Sequence, residues 1–513
     1  MVAKIIMLVV FFAVMIGVGV YCRKHATDVN GFVLGGRAVG PWLTAFAYGT
    51  SYFSAVIFIG YAGQFGWKFG IASTWIGIGN AIIGSLLAWV ILGRRTRLMS
   101  QHLSSATMPE FFEKRFGSVP LKIIASAIIF IFMIPYTASL YNGLSRLFGM
   151  AFNIDYTVCI IIMAVLTAVY VIVGGYMATA INDFIQGIIM LFGIVMVIAA
   201  VLNSNGGFMA ALDGLAKVED TAVSTTPGAF ASFFGPDPFN LLGVVILTSL
   251  GTWGLPQMVQ KFYAIKSEKA ISKGTIISTI FALIVAGGCY FLGGFGRLYS
   301  DKLDTSKGIV YDAIVPKMLE GLPDMLIGVV VILVLSASMS TLSSLVLTSS
   351  STLTLDFLKG NIIKKMDDKK QMLIMRALVV VFIVISVVIA ILQYKSNVTF
   401  IAQLMGISWG AMAGAFLAPF IYGLYWKRTT KAGCFASFIF GCGIMLLNMF
   451  CKNIFPVWLQ SPINCGALAM LAGLVIVPVV SIITKAPDKE KVDGMFTCYE
   501  KEVVVHSKKS LGE

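Results

Sequence analysis

Long apolar runs, separated by short clusters of charge, glycine and proline, make up most of this chain. Most runs reach about 18 residues, the length an α-helix needs to cross roughly 30 Å of hydrocarbon, and they lack the ten-residue alternation of barrel strands. Cut at those clusters, the pattern predicts about thirteen spans, near 3–21, 41–64, 71–93, 120–147, 155–174, 181–202, 240–262, 272–298, 322–355, 371–393, 398–425, 432–450 and 463–484. The run 3–21 carries a single lysine, near its start, and precedes no A-x-A cleavage motif, so it reads as a first span rather than a signal peptide.

Two spans are interrupted at their centres, 41–64 by AYGTSYFSA (residues 47–55) and 240–262 by LGTWGLPQ (residues 250–257). They lie five spans apart. Broken helices at matching places in two halves point to an inverted-repeat secondary transporter with its site where the repeats meet. An odd number of spans per repeat inverts the second copy, and five plus five meets that condition. The two halves show no visible sequence identity, so the repeat rests on layout.

A third polar feature, SASMSTLSS (residues 336–344), lies inside the apolar span 322–355. At 100° per residue, Ala337, Ser340, Thr341, Ser344 and Thr348 share one helix face. That face is neutral and rich in oxygen. A small hard cation takes about five or six oxygens, which hydroxyls and the carbonyls of a nearby unwound helix could supply, and Na⁺ is the natural candidate. The same hydroxyls could instead bond to the carbonyl four residues back or allow close helix packing. Gly49, Thr50, Ser51 and Tyr52, at the first interruption, offer the backbone partners that the cation alternative needs.

Composition places these elements in a lipid bilayer. Of 513 residues, 58% are hydrophobic and only 12% charged, about half the charge of a soluble chain. A net charge of +14 could indicate nucleic acid, but the basic residues sit between apolar spans rather than in a compact polar domain. They read as topology signals. With the N-terminus outside, the interior segments collect Arg23 and Lys24; Arg94, Arg95 and Arg97; Lys261, Lys266, Lys269 and Lys273; Lys359, Lys364, Lys365, Lys369 and Lys370; and Lys427 and Arg428, so that roughly 28 of the 38 Lys and Arg are cytoplasmic. This predicts a multi-pass plasma-membrane protein with its C-terminus in the cytoplasm.

The polar stretches 203–239, 299–321 and the tail after Ala486 are each under about 50 residues, too short for an enzyme domain. Paired carboxylates, ligand clusters and nucleophile–base pairs are not visible, so no enzymatic activity is expected. The 203–239 loop reads as a short external cap and the tail as charged and mobile. Eight cysteines form no CxxC pair, and His25, His102 and His506 fall in separate polar segments, so neither a zinc site nor a disulfide framework is indicated. VLGGRAVG (residues 33–40) lacks the GxGxxG spacing of a nucleotide loop.

Taken in order, these stretches resemble the sodium:solute symporter family, nearest in layout to its sodium/proline branch. The resemblance is carried by VLGGRAVGPWLTAFAYGTSYFSA (33–55), TMPEFFEKRF (107–116), GGYMATAINDFIQG (174–187), LPQMVQKF (255–262) and SASMSTLSS, and it extends over nearly the whole chain. It implies an all-α integral membrane protein of the leucine-transporter-like fold. One extra N-terminal helix would occupy 1–30, the first inverted repeat 31–205, an extracellular loop 206–239, the second repeat 240–425, two C-terminal helices 426–485 and a cytoplasmic tail 486–513.

The resemblance also implies a sodium ion held by the carbonyls of Thr50, Phe53 and Ala337 and the hydroxyls of Ser340 and Thr341. Asp183 is the one carboxylate placed just inside a span, where an acid is costly. It matches the family's WTD..Q stretch, although Ile181 and Asn182 replace the first two letters, and the family implies a second ion site or a release step there, with Ser344. A cap facing water at the interface is the plain alternative for Asp183. For the solute, Tyr48, Tyr52, Tyr136, Thr252, Trp253 and Gln257 would combine hydroxyl and amide groups with aromatic walls, suiting a small polar organic molecule. Tyr136 and Pro256 keep the proline branch's pattern, whereas Tyr52 replaces its aspartate and Thr248 and Thr252 its aromatic pair. The expected activity is Na⁺-coupled import of a small organic solute, a carboxylate or amino acid, by alternating access. Na⁺ would be the co-transported ion, with no organic cofactor, nucleic acid or obligate protein partner. A proton-coupled transporter of the same fold, with Asp183 carrying the proton, and a transporter-like sensor without coupled transport are the alternatives.

Overall fold

The computed structural model describes residues 2–23, 27–152, 154–303, 309–359, 361–363, 365–396 and 401–500. Lys24, His25, Lys364 and His506 lie outside them. The described residues are helical, with isolated bridges in place of sheets. Ten helices are long and apolar enough to span a bilayer, or up to eleven with the bent pair Pro238–Gly254 and Pro256–Ala264 taken as one.

Backbone breaks account for the difference from thirteen. Span 41–64 divides at Phe53 into Pro41–Tyr52 and a second half that begins at Val56 and continues, through a turn at Gly70, as part of the run Val56–His102. Span 155–174 is represented by the shorter apolar helix Tyr156–Val169, and span 240–262 is the bent pair, with 46° between its halves. The second break has a local cause. Pro256 has no N–H and crowds the residue before it out of helical geometry, and Leu255 is accordingly extended, at φ −83° and ψ 122°.

The helix Asp324–Thr352 (the serine helix) and Ile401–Tyr425 are mostly buried. Only a minority of the residues in Lys4–Cys22 and Asp368–Gln393 are buried, so these two are peripheral and present apolar faces outward. The polar SASMSTLSS stretch therefore lies at the centre of the protein. The 203–239 loop contains a short helix, Phe208–Ala216, packed against the body of the protein. Arg297 ties it down, donating to Asp220 Oδ2 at 2.9 Å and to the Trp67 carbonyl at 2.6 Å.

The start of the tail, up to residue 500, departs from the expectation of a mobile segment, and residues 501–513 lie outside the described residues. Residues 488–499 form a capped helix, Lys489–Phe496, and a final turn that dock on the body of the protein. Lys427 pairs with Asp493 at 2.6 Å, and the Phe496 ring lies 5.1 Å from the buried Arg115 guanidinium. Arg115 donates to the carbonyls of Gly423 and Trp426 at 2.8 and 3.2 Å, and burial lowers its pKa to about 10. Apolar and cation–π contacts thus order a segment that looks solvated by composition alone.

The VLGGRAVG loop is a backbone device. Gly35, Gly36 and Arg37 all have left-handed φ, at 58°, 68° and 56°, a conformation that only glycine adopts without cost. Arg37 is held there by its guanidinium, which donates to Ser100 Oγ at 3.1 Å and to the Tyr263 carbonyl at 3.3 Å; burial lowers its pKa. Two residues on, Val39 N–H donates to the Ala264 carbonyl and the Val39 carbonyl accepts from Lys266 N–H, at 3.2 and 3.0 Å. The entry to the first broken helix is thereby stitched to the exit of the second.

Tyr156–Ser204 is kinked at Gly175, with φ 56° and ψ −152°. A Cβ there would lie 2.8 Å from the Phe32 ring and 3.1 Å from the Phe32 carbonyl, whereas one at Gly36 would meet nothing within 4 Å. Gly36→Ala should therefore cost about 1–2 kcal/mol of backbone strain alone. Gly175→Ala, in a region reserved for glycine and against a neighbour, should cost more. Thermal inactivation in detergent is expected to rank wild type, G36A and G175A in falling order.

Candidate functional site

At the first break Phe53 is extended, at φ −89° and ψ 125°. Helical continuity is lost there at membrane depth, where carbonyl oxygens need partners from the protein itself. The serine helix supplies them. Ser340 Oγ lies 3.0 Å from the Thr50 carbonyl oxygen and 3.0 Å from that of Ala337. Thr341 Oγ1 lies 3.1 Å from Thr50 O, 3.2 Å from Phe53 O and 3.1 Å from Ala337 O. All five residues are buried, with exposures of 0–1%.

Three carbonyls and two hydroxyls therefore share one point, with two hydroxyl hydrogens for three acceptors. The cluster has an excess of lone pairs and no charged side chain in its shell. A cation of the size of Ca²⁺ or Na⁺ takes oxygens at about 2.3–2.6 Å, which at right angles sets neighbouring oxygens roughly 3.4 Å apart. The observed edges of 3.0–3.2 Å would need to open by only a few tenths of an ångström.

The two sequence alternatives for the serine run divide by face. Ser338 bonds back to Val334 O at 2.8 Å and Ser343 to Ser340 O at 2.9 Å, as ordinary helix hydroxyls do. The face bearing Ser340, Thr341, Ser344 and Thr348 instead reaches other elements. Ser344 Oγ shares a hydrogen bond of 2.8 Å with Ser51 Oγ and accepts from Lys261 Nζ at 3.1 Å, and Thr348 donates to Gln260 at 2.8 Å.

Asp183 is fully buried, not at an aqueous interface, and Lys261 Nζ lies 3.8 Å from its Oδ2. Lys261, grouped by sequence with the cytoplasmic loop charges, is only 2% exposed. Asp183 and Ser344 thus converge on a lysine that sequence reasoning assigned to topology. The available signal was its place inside LPQMVQKF, before the span's apolar end.

The expected solute residues fall into two groups. Tyr48 OH and Thr252 Oγ1 both donate to the Gly84 carbonyl, at 2.8 and 2.9 Å, and Trp253 Nε1 donates to the Ile83 carbonyl at 2.9 Å. The segment Asn80–Leu87 is π-helical, which changes the internal pairing of its carbonyls, and these three side chains fasten both broken helices to it. Tyr52 and Tyr136 instead pack on Trp409, with ring centroids 5.6 and 5.9 Å away. Both amide atoms of Gln257 are buried with no hydrogen-bond partner among the described residues, while the Tyr136 hydroxyl faces Trp409 and Ser54 and the Tyr52 hydroxyl faces Thr248 only in loose hydrogen-bonding geometry. Buried polar groups are almost always paired, so this cluster is suited to receiving polar atoms from outside the chain. Pro256 is buried at the start of the second half-helix. Trp409 was absent from the expected residues, because its part of span 398–425 carries no motif.

Fold and site together define a multi-pass helical membrane protein whose broken helix is closed by hydroxyls of a neighbouring helix. The sequence profile of the sodium:solute symporter family matches residues 32–441, and the chain belongs to that family. It is 30% identical over 494 residues to the osmoregulated proline transporter OpuE of Bacillus subtilis (strain 168), covering 94% of this chain and 96% of that one. It is 29% identical over 506 residues to the sodium/proline symporter of Staphylococcus aureus (strain JH9), covering 94% and 93%. The structure of a Na⁺-coupled sialic acid symporter in a substrate-bound outward-open state shares its fold, with a TM-score of 0.74 at 17% identity over 94% of this chain and 98% of that one.

The split among tyrosines is measurable without knowing the solute. Tyr48→Phe removes a well-formed buried hydrogen bond and should cost about 1 kcal/mol of stability, whereas Tyr52→Phe and Tyr136→Phe remove hydroxyls whose partners are only loosely placed and should cost less. Melting curves of the three purified variants would show the ordering.

Proposed function

We propose that this protein is a Na⁺-coupled symporter that imports a small organic solute, an amino acid or a carboxylate, by alternating access. The observation that carries the proposal is the convergence of five oxygens, from Thr50, Phe53, Ala337, Ser340 and Thr341, between the first broken helix and the serine helix. Membership of a sodium-coupled family supports the choice of ion, and relatives named as proline transporters support a small solute. The solute would sit between Tyr52, Tyr136, Trp409 and Gln257, with Tyr48, Thr252 and Trp253 holding the walls in place. Tyr52 in place of the proline branch's aspartate, and threonines at 248 and 252, argue for a solute other than proline.

In this proposal the two broken helices belong to inverted repeats over 31–205 and 240–425, the N-terminus is outside and the tail from 486 is cytoplasmic. Sodium bound at Ser340 and Thr341 ties the serine helix to Thr50 and Phe53, completing the adjoining solute site; by reciprocity, solute raises sodium affinity equally. The driving force suffices. One charge crossing 100 mV contributes about 2.3 kcal/mol, and a tenfold sodium gradient adds about 1.4 kcal/mol. Together they support accumulation of roughly 500-fold.

The test is uptake into proteoliposomes from a panel of labelled amino acids and carboxylates, with and without an inward sodium gradient. Gradient-dependent uptake of one panel member is expected. Ser340→Ala/Thr341→Ala should weaken its sodium dependence by roughly 10–100-fold or more, by analogy with the loss of metal-site groups elsewhere. Uptake driven by a pH gradient in sodium-free buffer, indifferent to the double substitution, would overturn the proposal in favour of protons.

A further inference from the structure

We propose that Lys261 is the resident cation of the Asp183 pocket, so that no second sodium binds there and one sodium accompanies each solute. This deepens the symport proposed above and depends on it for the stoichiometry, though not for the occupancy of the pocket. Lys261 lies on the half-helix Pro256–Ala264 and its side chain runs into the protein interior, where its ammonium meets three groups. It donates to Ser344 Oγ at 3.1 Å, stands 3.8 Å from Asp183 Oδ2, and faces the Tyr176 ring at 5.1 Å from the centroid.

Asp183 depends on this lysine. It is fully buried, and neither carboxylate oxygen accepts a hydrogen bond within the described structure. An unpaired carboxylate at such depth is too costly to keep ionised. With Lys261 in place the pocket holds one negative and one positive charge. Sodium entering the same pocket would put a second positive charge beside the ammonium. At about 4 Å and the effective dielectric of a protein site, that repulsion alone weakens binding roughly a thousandfold. The five-oxygen cluster, farther from the ammonium beyond Ser344 and Ser51, has no charged side chain among its ligands and carries a smaller penalty.

The lysine also makes the connections that an ion in this pocket would make. Asp183 belongs to the span Val171–Ser204, Ser344 to the serine helix, and Ser344 is hydrogen-bonded to Ser51 of the first broken helix at 2.8 Å. One ammonium therefore joins the second broken helix to three other elements. Ser51 follows Thr50 and Ser344 comes three residues after Thr341, so the pocket is mechanically continuous with the oxygen cluster.

The test counts bound radiolabelled sodium per molecule of purified full-length protein at saturation. Lys261→Gln should bind one more sodium than wild type, and Lys261→Gln/Asp183→Asn should fall back to the wild-type number. Asp183→Asn alone should leave the number unchanged. Equal counts in wild type and Lys261→Gln, or a site lost from wild type on Asp183→Asn, would overturn the assignment, and either comparison decides if the other variant fails to fold. In wild-type proteoliposomes the ratio of sodium to solute flux should be one, and a ratio of two would also overturn it. Failure of the symport proposal is separate: it appears as uptake indifferent to sodium, and the difference between wild-type and Lys261→Gln counts still decides the pocket.

Discussion

A helix that breaks inside a bilayer must have its carbonyls met by protein, because no water is there to meet them. Much of the polar arrangement in this structure follows from that requirement. The break at Phe53 sends carbonyls toward the serine helix, and Ser340 and Thr341 stand opposite them. The π-helical stretch Asn80–Leu87 presents further carbonyls, which Tyr48, Thr252 and Trp253 engage. The polar atoms that remain, on Tyr52, Ser54, Tyr136, Gln257 and Trp409, are buried and, among the described residues, at most loosely paired with one another and with Thr248.

The first broken helix and the serine helix are joined at two levels, by the oxygen cluster at Thr50 and Phe53 and by the pair Ser51 and Ser344. A third contact, between Val39 and the segment 264–266, holds the two broken helices together near their polar ends. Hydroxyl–carbonyl contacts of about 3 Å are worth only about 1 kcal/mol net each. Connections of that strength can be remade during a cycle, while the glycine-enforced turns at Gly35, Gly36 and Gly175 keep their geometry. The cation–π and ion-pair contacts of Arg115, Arg297 and Asp493 anchor loops and tail, while at the centre the Lys261–Asp183 pair stands among weaker hydroxyl–carbonyl bonds.

Relatives about 30% identical to this chain are described as proline transporters. Three of the five oxygens proposed to hold sodium are backbone carbonyls. Such ligands survive substitution of the residues that bear them, so an ion site can persist while the solute pocket beside it changes.

Helix, membrane and the oxygen-bearing face were legible in the chain itself, because span length and a 100° periodicity are local properties that need no neighbour. The motif resemblance brought Thr50 and Phe53 alongside that face, and the structure places them within 3.2 Å of it. Four matters were decided only by tertiary contact. Lys261 looks like one loop charge among many until its side chain is traced to Asp183, 78 residues earlier in the chain. Trp409 carries no motif and gains meaning only from the two tyrosines that meet on it. Tyr48, Thr252 and Trp253 have the chemistry of solute ligands, but carbonyls in another helix take their donors. The described part of the charged tail, through residue 500, is held by rings and guanidinium groups drawn from distant segments. In each case the deciding partner is remote in sequence, and composition or periodicity, which sum over near neighbours, cannot register it.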